Sequence, residues 1–326
     1  MKMKQSAIIY AMAALALTAC SNDENLDNLN GPVKLCLTSG LEVLTRATYT
    51  QSTSLTEGEK VYAWVDDAKT SESEYLAREL EADSNNGFTY DDMYFPETGN
   101  GISIYAMHGK FNPSFSEGNA FPGTEGMAFT VEADQSGMGT AYTHSDLLYA
   151  TKQNVARTKE NVELTFYHML SKMEIAIVRG DGAPELADNN AVTISDVVAD
   201  GIFKPTKAVD MTNQTARQAM IEAGSTKEQM IVSHRTCTDF KENVDYNEAI
   251  IVPQEMLGKK IAFHLKNGGT LSYTIPAFDE TPGKAVFESG KKYIYLITLN
   301  LTGLEVTAKI EDWGGGNTYT GDAEME

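Results

Sequence analysis

The sequence predicts an all-β protein of two tandem β-sandwich domains with short connector helices, and three observations support this prediction. Apolar and polar residues alternate with a period of two in many short stretches, which is the pattern of half-buried strands. Clusters rich in Gly, Asn and Asp, which are typical of turns, separate these stretches. The chain of 326 residues is longer than one common domain, and 42% hydrophobic residues are enough to build packed cores.

The alternating apolar positions that predict strands run from the N-terminal region to near the end of the chain. They are Val33, Leu35 and Leu37; Val61, Ala63 and Val65; Ile102, Ile104 and Ala106; Val162, Leu164, Phe166, His168 and Leu170; Ile261, Phe263 and Leu265; Leu271, Tyr273 and Ile275; Tyr293, Tyr295, Ile297, Leu299 and Leu301; and Leu304, Val306, Ala308 and Ile310. Many short strands with regular turns favour sandwiches. Helical periodicity predicts two short connector helices, at 71–80 and 212–223.

A change of phase in the alternation marks the expected domain boundary. Apolar residues occupy the even positions of 162–170 and the odd positions of 173–177, and a shift by one residue turns side chains to the opposite face of a sheet. A strand can therefore leave one sandwich and enter the next at residue 171. We expect an N-terminal sandwich at 47–171 and a C-terminal sandwich with a short acidic tail at 172–326.

The N-terminus has the features of an export signal. Lys2 and Lys4 precede the almost entirely apolar stretch 7–17, which is shorter than the roughly 20 residues that span a bilayer and fits a secretory signal. A lipobox follows at Leu17-Thr18-Ala19-Cys20, in which the Cys is acylated and anchors the mature protein in the membrane. We expect residues 1–20 to be a lipoprotein signal peptide that ends in a lipid-bearing Cys20. The alternative is an ordinary cleaved signal with a Cys there by chance.

The charge excludes one class of partner, and the spacing of potential ligands predicts no metal or other cofactor. With 46 acidic and 26 basic residues, the net charge of −20 would repel a phosphate backbone, so we expect no nucleic-acid binding. No two of the five His residues stand three or four positions apart, as zinc ligands on a helix do. The pairs Asp66-Asp67 and Asp91-Asp92 lack the spacing of a calcium loop, and we expect both in solvated loops.

The residue types of hydrolytic enzymes are present but are not arranged for catalysis. His144, Ser145 and Asp146 are adjacent, and adjacent side chains do not converge as a triad does. The glycines at 314–316 follow a predicted strand but precede no helix, so they predict no phosphate site. His168 lies on an apolar strand face, where we expect a hydrogen-bonded core histidine. The sequence therefore predicts no enzyme.

Several short segments, none of them specific alone, carry a family resemblance through their order and spacing. They are the lipobox at Cys20, Thr45-Arg46-Ala47, Asp146-Leu147-Leu148-Tyr149-Ala150, Leu164-Thr165-Phe166-Tyr167-His168-Met169-Leu170-Ser171-Lys172, Ile251-Val252-Pro253-Gln254, and Phe287-Glu288-Ser289-Gly290-Lys291-Lys292-Tyr293 with Tyr295, Ile297 and Asp312-Trp313. Together they resemble the Bacteroides-type fimbrillins, the subunits of type V pili, over nearly the whole chain. The resemblance implies two transthyretin-like sandwiches, surface export as a lipoprotein, trimming by an Arg-specific protease and assembly with other subunits by strand exchange. The acidic residues 21–25 resemble the surface-export signal of Bacteroides-type lipoproteins.

This mechanism assigns a role to the stretch ahead of Arg46. A cut between Arg46 and Ala47 would remove the lipid-bearing Cys20 together with residues 21–46, a tether with one or more strands whose apolar members are Val33, Leu35, Leu37, Leu41, Val43 and Leu44. The open sheet edge left behind could then capture a strand of another subunit. The alternative is that Arg46 is an ordinary surface residue and the lipoprotein stays anchored whole.

The two cysteines beyond Cys20 are Cys36 and Cys237. An exported protein can form a disulfide, and sequence alone does not decide whether these two pair. We expect separate thiols, because a bridge would fasten residue 36 to the second half of the chain and oppose its removal.

The donated strand has two candidates. One is 304–310, with Leu304, Val306, Ala308 and Ile310, which is also placed to be the last strand of the second sandwich. The other is the tail 314–326, in which Tyr319 and Met325 are the only large apolar residues. A poor donor would fit a tip or accessory subunit, which accepts a strand but gives none.

The sequence leaves two classes of function open. The first is a pilus subunit that supports adhesion, located first at the outer membrane and then in the fimbrium. The second is a non-polymerising surface lipoprotein that binds a glycan or a host ligand. Exposed Trp64 or Trp313 would serve the second class, although a core position is the expectation for both.

Overall fold

The structure, a computed structural model, describes residues 31–41, 55–136, 140–180, 182–235, 244–278, 281–300, 303–312 and 321–323. Outside these residues lie Cys20, Val43, Leu44, Arg46, Ala47, Cys237, Trp313 and Tyr319. Regular structure within the described part is almost entirely β-strand, which confirms the all-β prediction. No helix in this part of the chain is long and apolar enough to cross a membrane.

The strands and helices follow one another in this order. The first half contains β1 (Leu37–Leu41), β2 (Lys60–Asp67), β3 (Ser73–Ala82), β4 (Phe88–Thr89), β5 (Ile102–His108), β6 (Phe111–Asn112), β7 (Met127–Thr130), α1 (Thr140–Ser145), β8 (Leu148–Val155) and β9 (Val162–His168). The second half contains β10 (Ser171–Arg179), β11 (Val192–Val198), β12 (Asp200–Phe203), α2 (Gln214–Ala219), β13 (Ile221–Ala223), β14 (Lys227–Ile231), β15 (Ser233–Arg235), β16 (Val244–Ile251), β17 (Lys260–His264), β18 (Thr270–Thr274), β19 (Lys291–Asn300), β20 (Gly303–Asp312) and β21 (Gly321–Ala323).

These strands form four sheets. The first sheet has the order β1-β9-β8-β5-β2-β3-β4 and uses only the first half of the chain. The second, β15-β16-β10-β19-β20-β21, and the third, β14-β11-β17-β18, use only the second half. The fourth, β13-β12-β7-β6, takes two strands from each half. The halves are therefore joined by backbone pairing between β7 and β12, where Thr130 is the partner of Asp200.

The first sheet is buried on both faces. Val61, Ala63 and Val65 of β2 face a core formed by the first half alone. Trp64, between them, and Tyr105 of β5 face a second core that extends into the second half of the chain. The alternation of the sequence therefore separates two apolar environments here, rather than a core and solvent.

The change of sheet occurs where the phase of the alternation changes. Strand β9 belongs to the first sheet and ends at His168, and β10 begins at Ser171 in the second sheet. Met173, Ile175 and Ile177 of β10 point into the shared core. The division into two tandem sandwiches with the boundary at residue 171 stays a prediction, because the fourth sheet draws on both sides of it.

The opposite face of β10 carries a buried ion cluster. Lys172 lies 2.7 Å from Glu248 and 3.1 Å from Glu174, and Lys292 lies 3.6 Å from Glu174. All four side chains are at most 5% exposed. Removing one member would leave a buried charge without its counterion, which is strongly destabilising.

One predicted helix is wrong, and the other is confirmed in part. Residues 71–80 are not helical, since β3 pairs there with β2. Pairing with β2 buries Leu80 and Ala82 and outweighs the helix propensity of Glu, Ala and Arg. The second prediction holds at 214–219 in α2, where the Asn213 side chain accepts a hydrogen bond from the Ala216 N–H at 3.1 Å. Residues 221–223 form β13 instead, which pairs with β12.

Two tyrosines on β19 offer a matched test of the shared core. The Tyr293 hydroxyl accepts from the Glu288 N–H at 2.8 Å and donates to the Val286 carbonyl at 3.0 Å. The equally buried Tyr295 hydroxyl has no hydrogen-bond partner. We expect Tyr293→Phe to cost about 1–2 kcal/mol and Tyr295→Phe to be neutral or stabilising, because only the first removes hydrogen bonds.

Urea unfolding of the two variants beside the wild type measures this difference. Equal destabilisation by both substitutions would contradict the unpartnered state of the Tyr295 hydroxyl.

Candidate functional site

Residues 31–41, the edge segment, lie between two other stretches of the first half. On one side β1 runs parallel to β9, with partners from Leu37↔Val162 to Leu41↔Phe166. On the other side the segment is hydrogen-bonded to 86–95, through Leu35 N to Met93 O at 2.8 Å, Phe95 N to Val33 O at 2.9 Å and Ser39 N to Asn86 O at 2.8 Å. The edge segment therefore uses backbone hydrogen bonds on both sides.

The edge segment also fills the core of the first half. Val33, Leu35 and Leu37 are 2%, 0% and 4% exposed, and they pack in the core that contains Leu164 and Phe166. Leu41 packs against the same core while partly exposed. At roughly 1.5–3 kcal/mol for each fully buried side chain, the first three contribute on the order of 5–9 kcal/mol as an upper estimate.

Three side chains from neighbouring stretches hold the edge segment in place. The Tyr90 hydroxyl donates to the Leu35 carbonyl at 2.8 Å and accepts from the Leu37 N–H at 2.9 Å. Burial raises the pKa of Tyr90 to about 12, so the hydroxyl keeps the proton that it donates. Arg157 donates to the carbonyls of Pro96 and Gly31, and Lys34 forms an ion pair with Asp92 at 2.5 Å.

Adjacent substitutions in the edge segment should have very different costs in the uncut protein. Leu35→Ala deletes a fully buried side chain, and we expect the free energy of unfolding to fall by about 2–5 kcal/mol. Lys34→Ala removes an exposed ion pair, and we expect a loss of less than about 1 kcal/mol.

Chemical denaturation of both variants compares these costs. A Leu35→Ala variant as stable as Lys34→Ala would show that the segment does not support the core.

Comparisons with known proteins agree with this architecture. The model of the family described as fimbrillin-like matches residues 45–313. This chain belongs to the fimbrillin-like family. It is a structural subunit of a fimbrial or adhesion structure, not an enzyme, as the resemblance in the sequence implied.

Individual relatives of this fimbrillin span almost its full length. A Bacteroides uniformis protein described as a candidate fimbrium subunit, Fim1C, is 27% identical over 340 residues, which cover 99% of this chain and 100% of that protein. A solved structure of a candidate cell adhesion protein from Bacteroides uniformis has a TM-score of 0.60 at 20% identity, covering 88% of this chain and 99% of the other. A second, from Bacteroides ovatus, has a TM-score of 0.61 at 16% identity, covering 87% and 98%. Both structures share the fold.

The cysteine prediction for this fimbrillin is wrong at Cys36. Cys36 is 5% exposed and disulfide-bonded, and its partner lies outside the described residues. The only other cysteines of the chain are Cys20 and Cys237. The expected separate thiol is therefore absent from the edge segment.

The candidate donor strand 304–310 of the fimbrillin already has partners. It lies in β20, which pairs antiparallel with β19 from Asn300↔Gly303 to Lys291↔Asp312. Leu304 and Val306 are 4% and 5% exposed, and Ala308 and Ile310 pack partly buried against the shared core. This stretch thus occupies the place of a strand in its own sheet.

The adjacent Ser, His and Asp of the fimbrillin do not form a catalytic arrangement. The Ser145 hydroxyl donates to the Ala141 carbonyl at 2.7 Å and accepts from the Glu132 N–H at 3.0 Å. The Asp146 carboxylate lies 2.9 Å from Nδ1 of His168 instead of contacting His144. His168 is 8% exposed, so the expected hydrogen-bonded core histidine is confirmed.

The expectation of a solvated loop is wrong for Asp66 and Asp67, which end β2 and are 3% and 2% exposed, whereas Asp91 and Asp92 are exposed outside any strand. Asp66 pairs with Lys207 at 2.5 Å, and the Asp67 carboxylate accepts from the Asn100 side chain at 2.9 Å. Within the described ranges, no group of three or more His, Cys, Asp and Glu side chains could hold a metal ion. Trp64 is 1% exposed and donates from Nε1 to the Asn119 carbonyl at 2.8 Å, which places it in the core.

Asp67 makes the stability of the fimbrillin depend on pH in the acid range. The Asn100 side chain and the Thr70 N–H hydrogen-bond its carboxylate and lower its pKa to about 2. Because the pKa of Asp67 is lower in the folded protein than in the unfolded chain, where it is about 3.9, the ionised carboxylate stabilises the fold at pH values above about 3.9. This contribution is lost as the pH falls toward about 2. We therefore expect wild type to be more stable than Asp67→Asn at neutral pH and the difference to shrink between pH 4 and about 2.

Urea unfolding at several pH values measures this convergence. A difference that stays constant down to pH 2 would contradict the lowered pKa of Asp67.

Proposed function

We propose that this fimbrillin is exported as a lipoprotein, cut after Arg46, and assembled into a fimbrium by a neighbouring subunit's strand that replaces the edge segment. The observation that carries the proposal is the position of residues 33–41, which are hydrogen-bonded on both sides and buried in the core of their own sheet. The coarser statement, that the chain is a fimbrial subunit, does not depend on this step.

Loss of the edge segment would create a site suited to one kind of ligand, an extended strand. Unpaired N–H and C=O groups would be exposed on β9 and on 86–95 together, because both now bond the segment. The spaces vacated by Val33, Leu35 and Leu37 would accept apolar side chains at alternate positions. The entropy lost on association would offset part of the free energy gained by burying the incoming strand, so the net affinity is smaller than the buried area suggests.

The extent of the family match supports a separate fate for the edge segment. The match begins at residue 45, directly before Arg46, and continues to residue 313. The segment thus contributes to the core of the fold yet lies outside the matched part of the chain. This combination is expected of a replaceable strand whose place is later taken by another subunit.

The disulfide of Cys36 adds a condition to release. The sulfur of a lipid-bearing Cys20 is not available for a disulfide, so the proposal makes Cys237 the partner of Cys36. Such a bond would keep the cut segment attached to the second half until the bond is reduced or exchanged, and cutting alone would not open the groove. The processing experiment therefore has to be run with and without a reductant.

The membrane anchor and the role in the fimbrium complete the proposal. Lipid on Cys20 would hold the uncut subunit in the outer membrane, and the cut would release it because the lipid lies on the removed piece. Strand β20 is paired within its own sheet, and Gly321–Ala323 of the tail 314–326 pair with β20 in turn. The tail is also poor in large apolar residues. This favours a tip or accessory subunit that accepts a strand without giving a good one.

Limited proteolysis of the full-length lipoprotein in detergent tests the cut. We expect an Arg-specific protease, with reductant present, to yield a chain that begins at Ala47 and forms ladders on a non-boiled gel. Arg46→Ala should remain uncut and monomeric, whereas Arg78→Ala, a control at a partly exposed arginine in β3, should behave like wild type. Ladders formed by Arg46→Ala would overturn the processing step.

A peptide competition tests the groove itself. A peptide with the sequence of residues 31–41 should refill the groove of the cut protein and suppress the ladders. The same peptide with Asp in place of Leu35 and Leu37 should have no effect, because charged side chains do not enter the apolar core. A cut protein that stays monomeric without peptide would favour the alternative, a non-polymerising surface lipoprotein.

A further inference from the structure

A polar cavity of about 370 Å³ opens at one end of the second half of the fimbrillin. Its walls come from the ends of β10 and β16, from the loop 185–191 ahead of β11, and from Lys266 after β17. The volume lies at the lower end of small-molecule sites, which span roughly 300–1,000 Å³. The cavity therefore has room for a short, polar ligand.

The wall of this cavity contains an amide that the fold leaves without a partner. Asn247 of β16 is 2% exposed, and its backbone is paired with β10 and β15. Its side-chain Nδ2 is buried and has no hydrogen-bond acceptor. A buried donor in this state costs about 1–3 kcal/mol, and a ligand atom that accepts from it would recover part of this cost.

The loop that forms the cavity mouth is held by the neighbouring strand. The Ala187 N–H donates to the His264 carbonyl at 2.8 Å, and the His264 N–H donates to the Ala191 carbonyl at 2.8 Å. The Lys266 N–H donates to the Glu185 carbonyl at 2.9 Å. These bonds fix both ends of the loop 185–191, so the cavity is formed before a ligand arrives.

Each cation in the cavity wall faces a carboxylate. Arg179 lies 3.4 Å from Asp245, and Lys266 lies 3.2 Å from Glu185 and 3.6 Å from Asp188. The lining thus has one more carboxylate than cations, and neither cation is free to pair with an anion. Such a lining disfavours an anion, and its many donors and acceptors suit a neutral ligand whose groups both donate and accept.

We propose that this cavity is a binding site for a short neutral saccharide, with the Asn247 amide donating to one of its hydroxyl or ring oxygens. Sugar hydroxyls both donate and accept, which suits the paired carboxylates, the Asn189 and Asn190 amides and the Ser136 hydroxyl of the lining. No aromatic ring lines the described walls, so binding rests on hydrogen bonds and is weak for a single site.

Saturation-transfer NMR on the full-length lipoprotein tests this site. The protein is kept in a polyoxyethylene detergent, because alkyl maltosides carry a sugar headgroup of their own. The probes are glucose, galactose, mannose, N-acetylglucosamine and lactose, with N-acetylneuraminic acid as the acidic comparison. We expect at least one neutral sugar to receive saturation from the protein and the acidic sugar to receive none.

Two leucine substitutions separate binding from folding. Asn247→Leu should weaken binding of the neutral sugar about tenfold, while the thermal midpoint stays equal or rises, because an unpartnered buried donor is removed. Asn300→Leu, on β19 and outside the cavity lining, should bind as wild type does.

Each of three results would overturn the proposal: no neutral sugar binds the wild type, only the acidic sugar binds, or Asn247→Leu binds as strongly as wild type. The site is independent of strand exchange, so it is tested equally well on uncut protein and on Arg46→Ala.

Discussion

The backbone pairing of residues 33–41 on both of their sides is the constraint on which the first half of this fimbrillin depends. A strand at the edge of a sheet ordinarily has one bonded side and one side open to solvent. Here β9 takes one side and 86–95 takes the other, and the apolar side chains between them complete a core. The segment therefore connects β9, at one end of the first sheet, with the stretch 86–95 that contains β4, at the other end. It does so although it comes from the start of the described chain.

The first sheet is supported independently of this segment. Its other face packs in the core shared with the second half, where Tyr149 of β8 contacts Phe203 of β12 with ring centroids 5.5 Å apart. The pairing of β7 with β12 fixes the same contact through the backbone. Under the proposed exchange, the acceptor sheet would thus keep its shape after the loss of one edge, and a preformed groove costs an incoming strand less ordering.

The proposed groove and the polar cavity lie at different sheets, and each contains polar groups that the fold satisfies incompletely or through a replaceable partner. In the first half these groups are the backbone N–H and C=O of β9 and 86–95, now occupied by the edge segment. In the second half the group is the Asn247 amide, which has no acceptor at all. Polar groups buried without a bond are costly, so each place favours a partner of matching geometry, a strand in one case and a small hydrogen-bonding molecule in the other.

The sequence by itself determined the class of fold and most strand positions. It also showed that the adjacent His144, Ser145 and Asp146 do not form a catalytic triad. Period-two alternation identifies strands because the two faces of a strand differ, and it located β2, β5, β9, β17, β18, β19 and β20. The helix predicted at 71–80 is wrong, because local propensity favours a helix there whereas pairing with β2 makes the stretch a strand. Only the tertiary structure placed residues 33–41 between β9 and 86–95, bonded Cys36, paired β20 with β19 and placed Asn247 in the wall of a cavity. Each of these depends on contacts between residues far apart in the chain, which no local pattern records.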